Sequence, residues 1–436
     1  MNVRHRSLRS LITVAATASM MATSVATFAA PAITNAATPC VLEQGSTTVY
    51  PALTQAQPGY QGAVTNPQPA WPTGQKLGCD STLVANGSGT GKTALINYYN
   101  GSSTTAIDIA ASSSPLASGA EQTNLMAFQV GGDGMVLAVK SDNPVTNITM
   151  GEVYGIYNGT ITTWQSLSGA NGKTGTIVPR SRIIGSGSRD DLNRLFKVDR
   201  GAGNTGPACS SGFTTCEPTV IAATGLPRLT TSQDEADAAC NNADQIVYTS
   251  LANLLAFGPA GTGCLKALPL QACTFGSTAP FAPTGCSGSF VAPSVSSAAP
   301  SGSYPAKRQL FLTLPKVSVM AAKWGTGNGT GWTDQLGLTK AADIVNYMES
   351  TQGQTAMGAV GFVQISVPAK QPIPDADVDL NGGIGLTDIG QITGRWNQTN
   401  AIPGWIRADV DNSAGIGLTD IGKITGQWGG TGFVAP

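Results

Sequence analysis

The chain has 436 residues, of which only 11% are charged, with 54 glycines, a net charge of -1 and a single histidine. That balance excludes a broad electrostatic attraction to nucleic acid or to an anionic membrane surface. The histidine, His5, lies in a segment with the marks of a cleavable leader, so the mature chain excludes Ser–His–Asp and Cys–His catalysis and imidazole-held zinc.

Arg4, Arg6 and Arg9 open the chain, Leu11 to Ala30 carries no charge, and Ala30-Pro31-Ala32 offers a small-residue cleavage site. Residues 1–32 therefore read as a secretory signal peptide. Their core is rich in Ala, Thr and Ser and only weakly apolar, which argues against a membrane anchor, and no later stretch reaches the roughly 20 apolar residues of a span. Cys40 follows Ala37-Thr38-Pro39, which is no lipobox. The expectation is an exported, soluble protein, extracellular or alternatively periplasmic. The eight cysteines then favour disulfides. Proximity in sequence pairs Cys40–Cys79, Cys209–Cys216, Cys240–Cys264 and Cys273–Cys286, one of about 105 possible connectivities.

From about residue 40 to 367, short β-like runs alternate with helical stretches, the pattern of an α/β fold. Four segments stand out for hydroxyls and glycines: Gly45-Ser46-Thr47-Thr48-Val49-Tyr50-Pro51, Asn86-Gly87-Ser88-Gly89-Thr90-Gly91-Lys92-Thr93, Asp108 to Leu116 around Ser112-Ser113-Ser114, and Arg182-Ile183-Ile184-Gly185-Ser186-Gly187-Ser188-Arg189-Asp190. Several are placed to open helices, where backbone N–H groups, hydroxyls and the helix dipole favour an anion. Arg182 adds a fork suited to a tetrahedral oxyanion. The second segment is no nucleotide P-loop, because that pattern needs Gly where Asn86 stands.

Gly134 to Val139 predicts a buried strand, and Arg189 to Phe196 and Ala341 to Met348 predict helices. Residues 276–305, dense in Gly, Pro, Ser and Ala, predict a long surface loop. Residues 368–374 form a short Pro-rich linker.

A repeat of period 32 follows, in which Asp377-Val378-Asp379 to Ile389-Gly390 returns as Asp409-Val410-Asp411 to Ile421-Gly422. Residues 375–436 carry seven Asp against Arg395, Arg407 and Lys423. Oxygen side chains recur at loop positions 1, 3, 5 and 12: Asp377, Asp379, Asn381 and Asp388, then Asp409, Asp411, Ser413 and Asp420. Backbone carbonyls at position 7, Gly383 and Gly415, complete an EF-hand-like spacing that suits two structural Ca2+ ions. Ile384 and Ile416, at position 8, are expected to point into a small core. Leu386, Ile389, Ile392 and Trp396 are expected on one helix face, repeated by Leu418, Ile421, Ile424 and Trp428.

Residues 375–430 resemble a type I dockerin, followed by a tail at 431–436. The resemblance implies a small all-α calcium-loop domain that docks on a cohesin-like partner through Leu386, Thr387, Leu418 and Thr419. The four hydroxyl-rich segments resemble the phosphate-binding proteins of ABC importers, in the type II periplasmic-binding-protein superfamily. Gly131-Gly132-Asp133-Gly134 with its following apolar run, Tyr157-Asn158-Gly159-Thr160-Ile161-Thr162-Thr163-Trp164, Gly353-Gln354 and Gly361-Phe362 extend that likeness over most of residues 42–366, within a domain expected over 33–367. It implies a two-lobed α/β fold with a hinge. It also implies phosphate or a similar oxyanion as ligand, held by Thr48, Val49, Ser88, Ser113, Arg182, Ser186, Gly187 and Ser188. Ser113 stands where the family has an Asp that accepts a bond from protonated phosphate, which implies weaker discrimination against sulfate.

Two other classes stay open. In one, the lobed domain is a structural or adhesive display unit that no longer binds a ligand. In the other it is a glycoside hydrolase, which needs a carboxylate pair; the 18 acidic residues of 33–374 present none in a recognisable setting. A non-enzymatic binding protein is the expectation.

Overall fold

The structure, a computed structural model, describes residues 43–65, 86–105, 107–117, 119–198, 224–257, 263–277, 281–316, 344–366, 376, 378, 384–397, 399–400, 408, 410 and 415–429. Seven strands join in one mixed sheet in the order β1 (Glu43–Gly45), β2 (Ile109–Ser112), β9 (Lys307–Pro315), β3 (Leu125–Lys140), β5 (Gln245–Ser250) and β4 (Val178–Pro179), with β6 (Leu265–Ala267) paired to β3. The expected strand at 134–139 is the second half of β3, which at 16 residues is long enough to serve two cores.

Its first half puts Leu125, Met126 and Val130 into a core with Leu310, Leu312 and Leu314 of β9. The same core takes Ile109 of β2, Leu53 of α1 (Tyr50–Ala63) and Leu95 of α2 (Ser88–Tyr99). Its second half puts Met135, Leu137 and Val139 into another, with Val153 and Ile156 of α4 (Met150–Asn158) and Leu192 and Phe196 of α5 (Gly187–Phe196). These are two lobes, each an α/β layer, and β3 and β9 run antiparallel between them from Lys307 opposite Gly134 to Pro315 opposite Leu125. Between β2 and β3 lies the short helix α3 (Ala120–Asn124).

Local chemistry sets several ends. Thr149 and Glu152 form a reciprocal capping box at the start of α4, and Gly159 closes that helix in the left-handed region. Thr231 and Asp234 cap α6 (Ser232–Asn241) in the same way, and α7 (Leu251–Phe257) follows β5 directly. The expected helix at Arg189–Phe196 is the body of α5; that at Ala341–Met348 is helical over 344–348, its first three residues lying outside the described ones.

The expectation of an open loop over 276–305 needs correction. Strands β7 (Cys273–Phe275) and β8 (Pro283–Cys286) form a hairpin clasped by Cys273–Cys286, and α8 (Val295–Ala298) is capped by Ser294. Tyr304 is fully buried, its hydroxyl donating to the Met135 carbonyl at 2.8 Å. A disulfide and one aromatic anchor thus order a stretch whose composition reads as loop. Cys240–Cys264 is present as expected. The pairs Cys40–Cys79 and Cys209–Cys216, the leader at 1–32 and the linker at 368–374 lie outside the described residues.

After α9 (Thr351–Ala359), the repeat contributes α10 (Leu386–Thr393) and α11 (Leu418–Gly426). They share a core with Val378, Ile384, Ile392, Val410, Ile416 and Ile424, so Ile384 and Ile416 do point inward. The copies exchange backbone bonds symmetrically: Asn397 N–H donates to Ile416 O, and Gly429 N–H to Ile384 O, both at 3.0 Å. The single apolar face expected for each helix is split. Ile392 and Ile424 are buried and Ile389 and Ile421 partly so, whereas Leu386 is 66% and Leu418 75% exposed, and Trp396 and Trp428 are also exposed. Spacings of three, six and ten residues drift around a helix of 3.6 residues per turn, and a core this small covers only the middle of the stripe. The segment is not wholly helical: Thr399–Asn400 pairs antiparallel with Val64–Thr65 at the end of α1. Among the described residues no helix is long and apolar enough to cross a membrane.

Candidate functional site: a buried hydroxyl clamp

The four hydroxyl-rich segments meet where the lobes face each other. The first runs from β1 into α1, the second opens α2, the third leaves β2, and the fourth opens α5. Thr48, Val49, Ser88, Ser113, Arg182, Ser186, Gly187 and Ser188 are all buried. Thr48 Oγ1 lies 3.4 Å from Ser188 Oγ, and Ser88 Oγ 3.4 Å from Ser113 Oγ. Ser113 N–H donates to Ser88 Oγ at 3.0 Å. Gly89 N–H donates to Gly185 O at 2.9 Å, which locks the start of α2 against the start of α5. The first segment is shaped by Ser46, whose Oγ accepts from the N–H of Thr48 and of Val49 at 3.2 and 3.3 Å. Val49 turns its side chain into the first-lobe core, so only its backbone faces the clamp.

Glycine is required at two points. Gly187 approaches so closely that a Cβ there would sit 2.2 Å from Ser88 Oγ, 2.5 Å from Ser113 Oγ and 2.8 Å from Ser88 Cβ. Gly87 has φ +108 and would place a Cβ 2.5 Å from Gly185 O. Three helix N-termini consequently converge on a few buried hydroxyls, an arrangement whose free N–H groups and dipoles suit an anion.

Arg182 is buried, and its fork is engaged more fully than its place in the sequence suggests. Nη1 meets Glu235 Oε1 at 2.5 Å, and Nη2 donates to Thr47 Oγ1 and to Thr230 O, both at 2.9 Å. Its Nε is buried without a hydrogen-bond partner, as is Ser114 Oγ beside Ser113. Through Thr47 and Glu235 this arginine ties the first segment to α6.

Sequence reasoning missed a second arginine. Arg308, in β9, is fully buried; its Nη1 donates to Ser188 Oγ at 2.9 Å and its Nε to Asp133 Oδ2 at 2.8 Å. Asp191 of α5, also fully buried, lies 3.8 Å away and is held by Arg194 at 2.8 Å. Burial pushes the Asp133 and Asp191 carboxyls up, opposed by Arg308 for the first and by Arg194 and Arg308 for the second. Burial alone would lower Arg308, but Asp133 and Asp191 hold it above its ordinary value. One signal was available: an aspartate amid glycines in a strand that otherwise reads as buried needs a cationic partner. Nothing in the sequence around Arg308 names it as that partner. Asp190, beside Arg189 at the start of α5, is pushed up to about 7, by burial first and by Asp191 and Glu121 in part, with Lys92 opposing. Lys92 itself binds Glu121 at 2.7 Å and the Pro115 carbonyl at 3.0 Å, so it braces the third segment.

In the repeat, Asp388 and Asp420 are fully buried, and each accepts from a backbone N–H, of Gly385 and Gly417, at 2.7 Å. Each carboxylate thereby closes the first turn of its own helix, where the helix dipole favours a negative charge. Gly415 is described and half-buried; Asp377, Asp379, Asn381, Gly383, Asp409, Asp411 and Ser413 lie outside the described residues. Leu386, Thr387, Leu418 and Thr419 are all exposed at the starts of the two helices.

A family model described as a PBP superfamily domain matches residues 30–404, most of the chain. No curated protein matches it. Among solved structures, a candidate phosphate ABC transporter substrate-binding protein from Clostridium perfringens with bound phosphate is 17% identical; the match covers 75% of this chain and 100% of that one, with a TM-score of 0.47. An ABC-type phosphate transport receptor from Vibrio cholerae is 17% identical over 74% of this chain and 100% of its own, with a TM-score of 0.46. A human phosphate binding apolipoprotein is 18% identical over 75% and 91%, also with a TM-score of 0.46. Likeness at this level says nothing about what this chain binds.

Proposed function

The chain belongs to the PBP superfamily, and from that premise we propose that it is an exported solute-binding protein that captures a tetrahedral oxyanion, phosphate first, between its lobes. The observation that carries this reading is the meeting of Thr48, Ser88, Ser113 and Ser188, from four separate segments, at three helix starts. A tetrahedral oxyanion takes up many donors at once, and such a cluster offers them already placed. In this reading Thr48 and Val49 offer the first segment, Ser88 and Ser113 the second and third, and Ser186, Gly187 and Ser188 the backbone and hydroxyls of the fourth. Arg182 contributes its buried Nε, with Glu235 holding the fork in place. The protein is a receptor in this account, and no bond is made or broken.

Titration of the mature, anion-free protein with phosphate and with sulfate, followed by calorimetry, tests the reading. Phosphate binding at micromolar concentration that Arg182→Ala removes is the expected result. A flat response to both anions from a folded sample overturns it and leaves the display-protein reading in its place.

The C-terminal repeat completes the proposal as a Ca2+-loaded module, two ions held by Asp377, Asp379, Asn381, Gly383 and Asp388 and by Asp409, Asp411, Ser413, Gly415 and Asp420. It would tether the receptor to a cohesin-like partner outside the cytoplasm. Two leucines at equivalent positions, each more than half exposed and each followed by an exposed threonine, support the tether, because large apolar side chains repeated on a surface mark contact sites. Calorimetry with calcium, then with a purified cohesin domain in calcium or chelator, tests it; absence of calcium binding refutes the module.

A further inference from the structure

Beside the clamp lies a cavity of about 290 Å3, near the lower end of ordinary small-molecule sites. Two of its lining residues adjoin the clamp. Arg308 lines it while donating to Ser188 Oγ, and Pro115 lines it two residues beyond Ser113. The remaining polar lining comes from the crossing strands and α5: Gln129, Gln309, Lys307 and Arg194. Inorganic phosphate carries no organic group to fill that space.

Resting on the oxyanion reading above, we infer that the ligand is a phosphate monoester, with its phosphoryl group in the hydroxyl clamp and a small polyhydroxy group, glycerol- or sugar-sized, in the adjoining cavity. The clamp and the cavity support this independently. Thr48, Ser88, Ser113 and Ser188 bring hydroxyls to the centre, the carboxylates of Asp133 and Asp191 are engaged by Arg308 and Arg194, and Asp190 stands two residues beyond Ser188. A monoester, with a second pKa near 6, is largely a dianion without a proton at neutral pH, so it needs no acceptor carboxylate. A serine at position 113 serves such a group as well as an aspartate would, without the repulsion.

The cavity supplies what the organic part requires. Gln309 Nε2 donates to Gln129 Oε1 at 2.8 Å and Gln129 Nε2 to Gly131 O at 3.3 Å, which leaves each amide a second N–H for hydroxyl acceptors. Lys307 Nζ spends two of its protons on the Pro300 and Gly302 carbonyls at 3.0 and 2.7 Å and keeps a third. Proline and aliphatic side chains complete the wall, a surface that suits the C–H face of a sugar.

Calorimetric titrations with inorganic phosphate, sn-glycerol 3-phosphate and glucose 6-phosphate, with free glycerol and glucose as controls, test the inference. At least one monoester should bind as tightly as inorganic phosphate or more tightly. The double variant Lys307→Gln, Gln309→Ala should lower the ratio of monoester to phosphate affinity about tenfold, the loss of roughly one charge-assisted bond. Binding of inorganic phosphate with neither monoester overturns this inference and leaves the oxyanion reading standing. Monoester binding with an unchanged ratio in the double variant overturns the assignment to this cavity. Failure of all three anions, from a folded sample, overturns the oxyanion reading and this one with it.

Discussion

Replacing Gly187 with alanine tests whether the clamp works by close approach of the two lobes. The added Cβ would lie 2.2 Å from Ser88 Oγ and 2.5 Å from Ser113 Oγ. Both oxygens can turn away about one torsion, at the loss of the Ser88–Ser113 contact and of the Ser113 N–H bond to Ser88 Oγ. Ser88 Cβ, at 2.8 Å, cannot turn away, because it is fixed to the start of α2, so the two helix starts must separate by several tenths of an ångström. Overpacking of this kind costs about 1–3 kcal/mol. Since the clash exists only when α5 meets α2, the cost falls on closure, and phosphate affinity should drop roughly 5- to 150-fold. Neither lobe core includes Gly187, so the melting temperature of the anion-free variant should stay close to that of the parent. Calorimetry with phosphate and a thermal melt without it separate the two effects. Parental affinity in Gly187→Ala would refute the closed clamp as the binding state. A large fall in melting temperature without phosphate would show the contact to be structural.

Three further outcomes follow from particular groups. Glu43, buried at the start of β1, has its carboxyl pushed up to about 8 by burial, with a backbone bond to Ala111 opposing. The folded chain therefore holds the extra proton between pH 4.5 and about 8, and its stability is greatest below that window and falls as pH rises through it, by at most about 1.4 kcal/mol per pH unit. Glu43→Gln should flatten that part of a urea-denaturation profile measured against pH. Gly422, exposed in the interior of α11 with open space where a Cβ would go, should accept alanine with a gain of about 0.5–1 kcal/mol, read as a higher denaturation midpoint of the repeat. Removing Cys240–Cys264, which closes a loop with a sequence separation of 24, as the paired serine variant should cost about 3 kcal/mol by chain entropy, read from denaturant midpoints.

The sequence pointed to the segments that meet in the candidate site and to little of what supports them. Ser88, Ser113, Gly187 and Ser188 were legible because hydroxyls and glycines at the starts of helices are a local signal, and local signals survive folding. The long strand β3 was legible only as its apolar second half, since Phe128, Gln129 and Gly131 to Gly134 interrupt the pattern where the strand crosses between lobes. Arg308 and Glu235 were not legible at all. They stand 175 residues from Asp133 and 53 residues from Arg182, and a buried ion pair across such separations leaves no pattern in either neighbourhood. The hairpin at β7 and β8 was hidden for a related reason: its order comes from a disulfide and from packing against α4, not from the propensities of Gly, Pro and Ser.

Those hidden pairs decide how the clamp would attract an anion in the proposed reading. Arg182 is matched by Glu235, and Arg308 by Asp133 with Asp191 close by. Arg182 and Arg308 each bring a countercharge, as burial demands, so neither adds net positive charge to the clamp. What remains for a ligand is short-range: helix N-termini, hydroxyls and the Arg182 Nε. Donors at contact distance inside a dry site act over far less than a Debye length, so affinity should respond weakly to salt, unlike that of a site built on net charge. The same balance bears on selectivity. A hydroxyl can donate or accept, whereas an ionised carboxylate only accepts and so rejects an anion without a proton. With Ser113 bonded to Ser88 and the carboxylates of Asp133 and Asp191 bound to arginines, sulfate should compete with phosphate more closely than it would at a clamp with a free carboxylate at position 113.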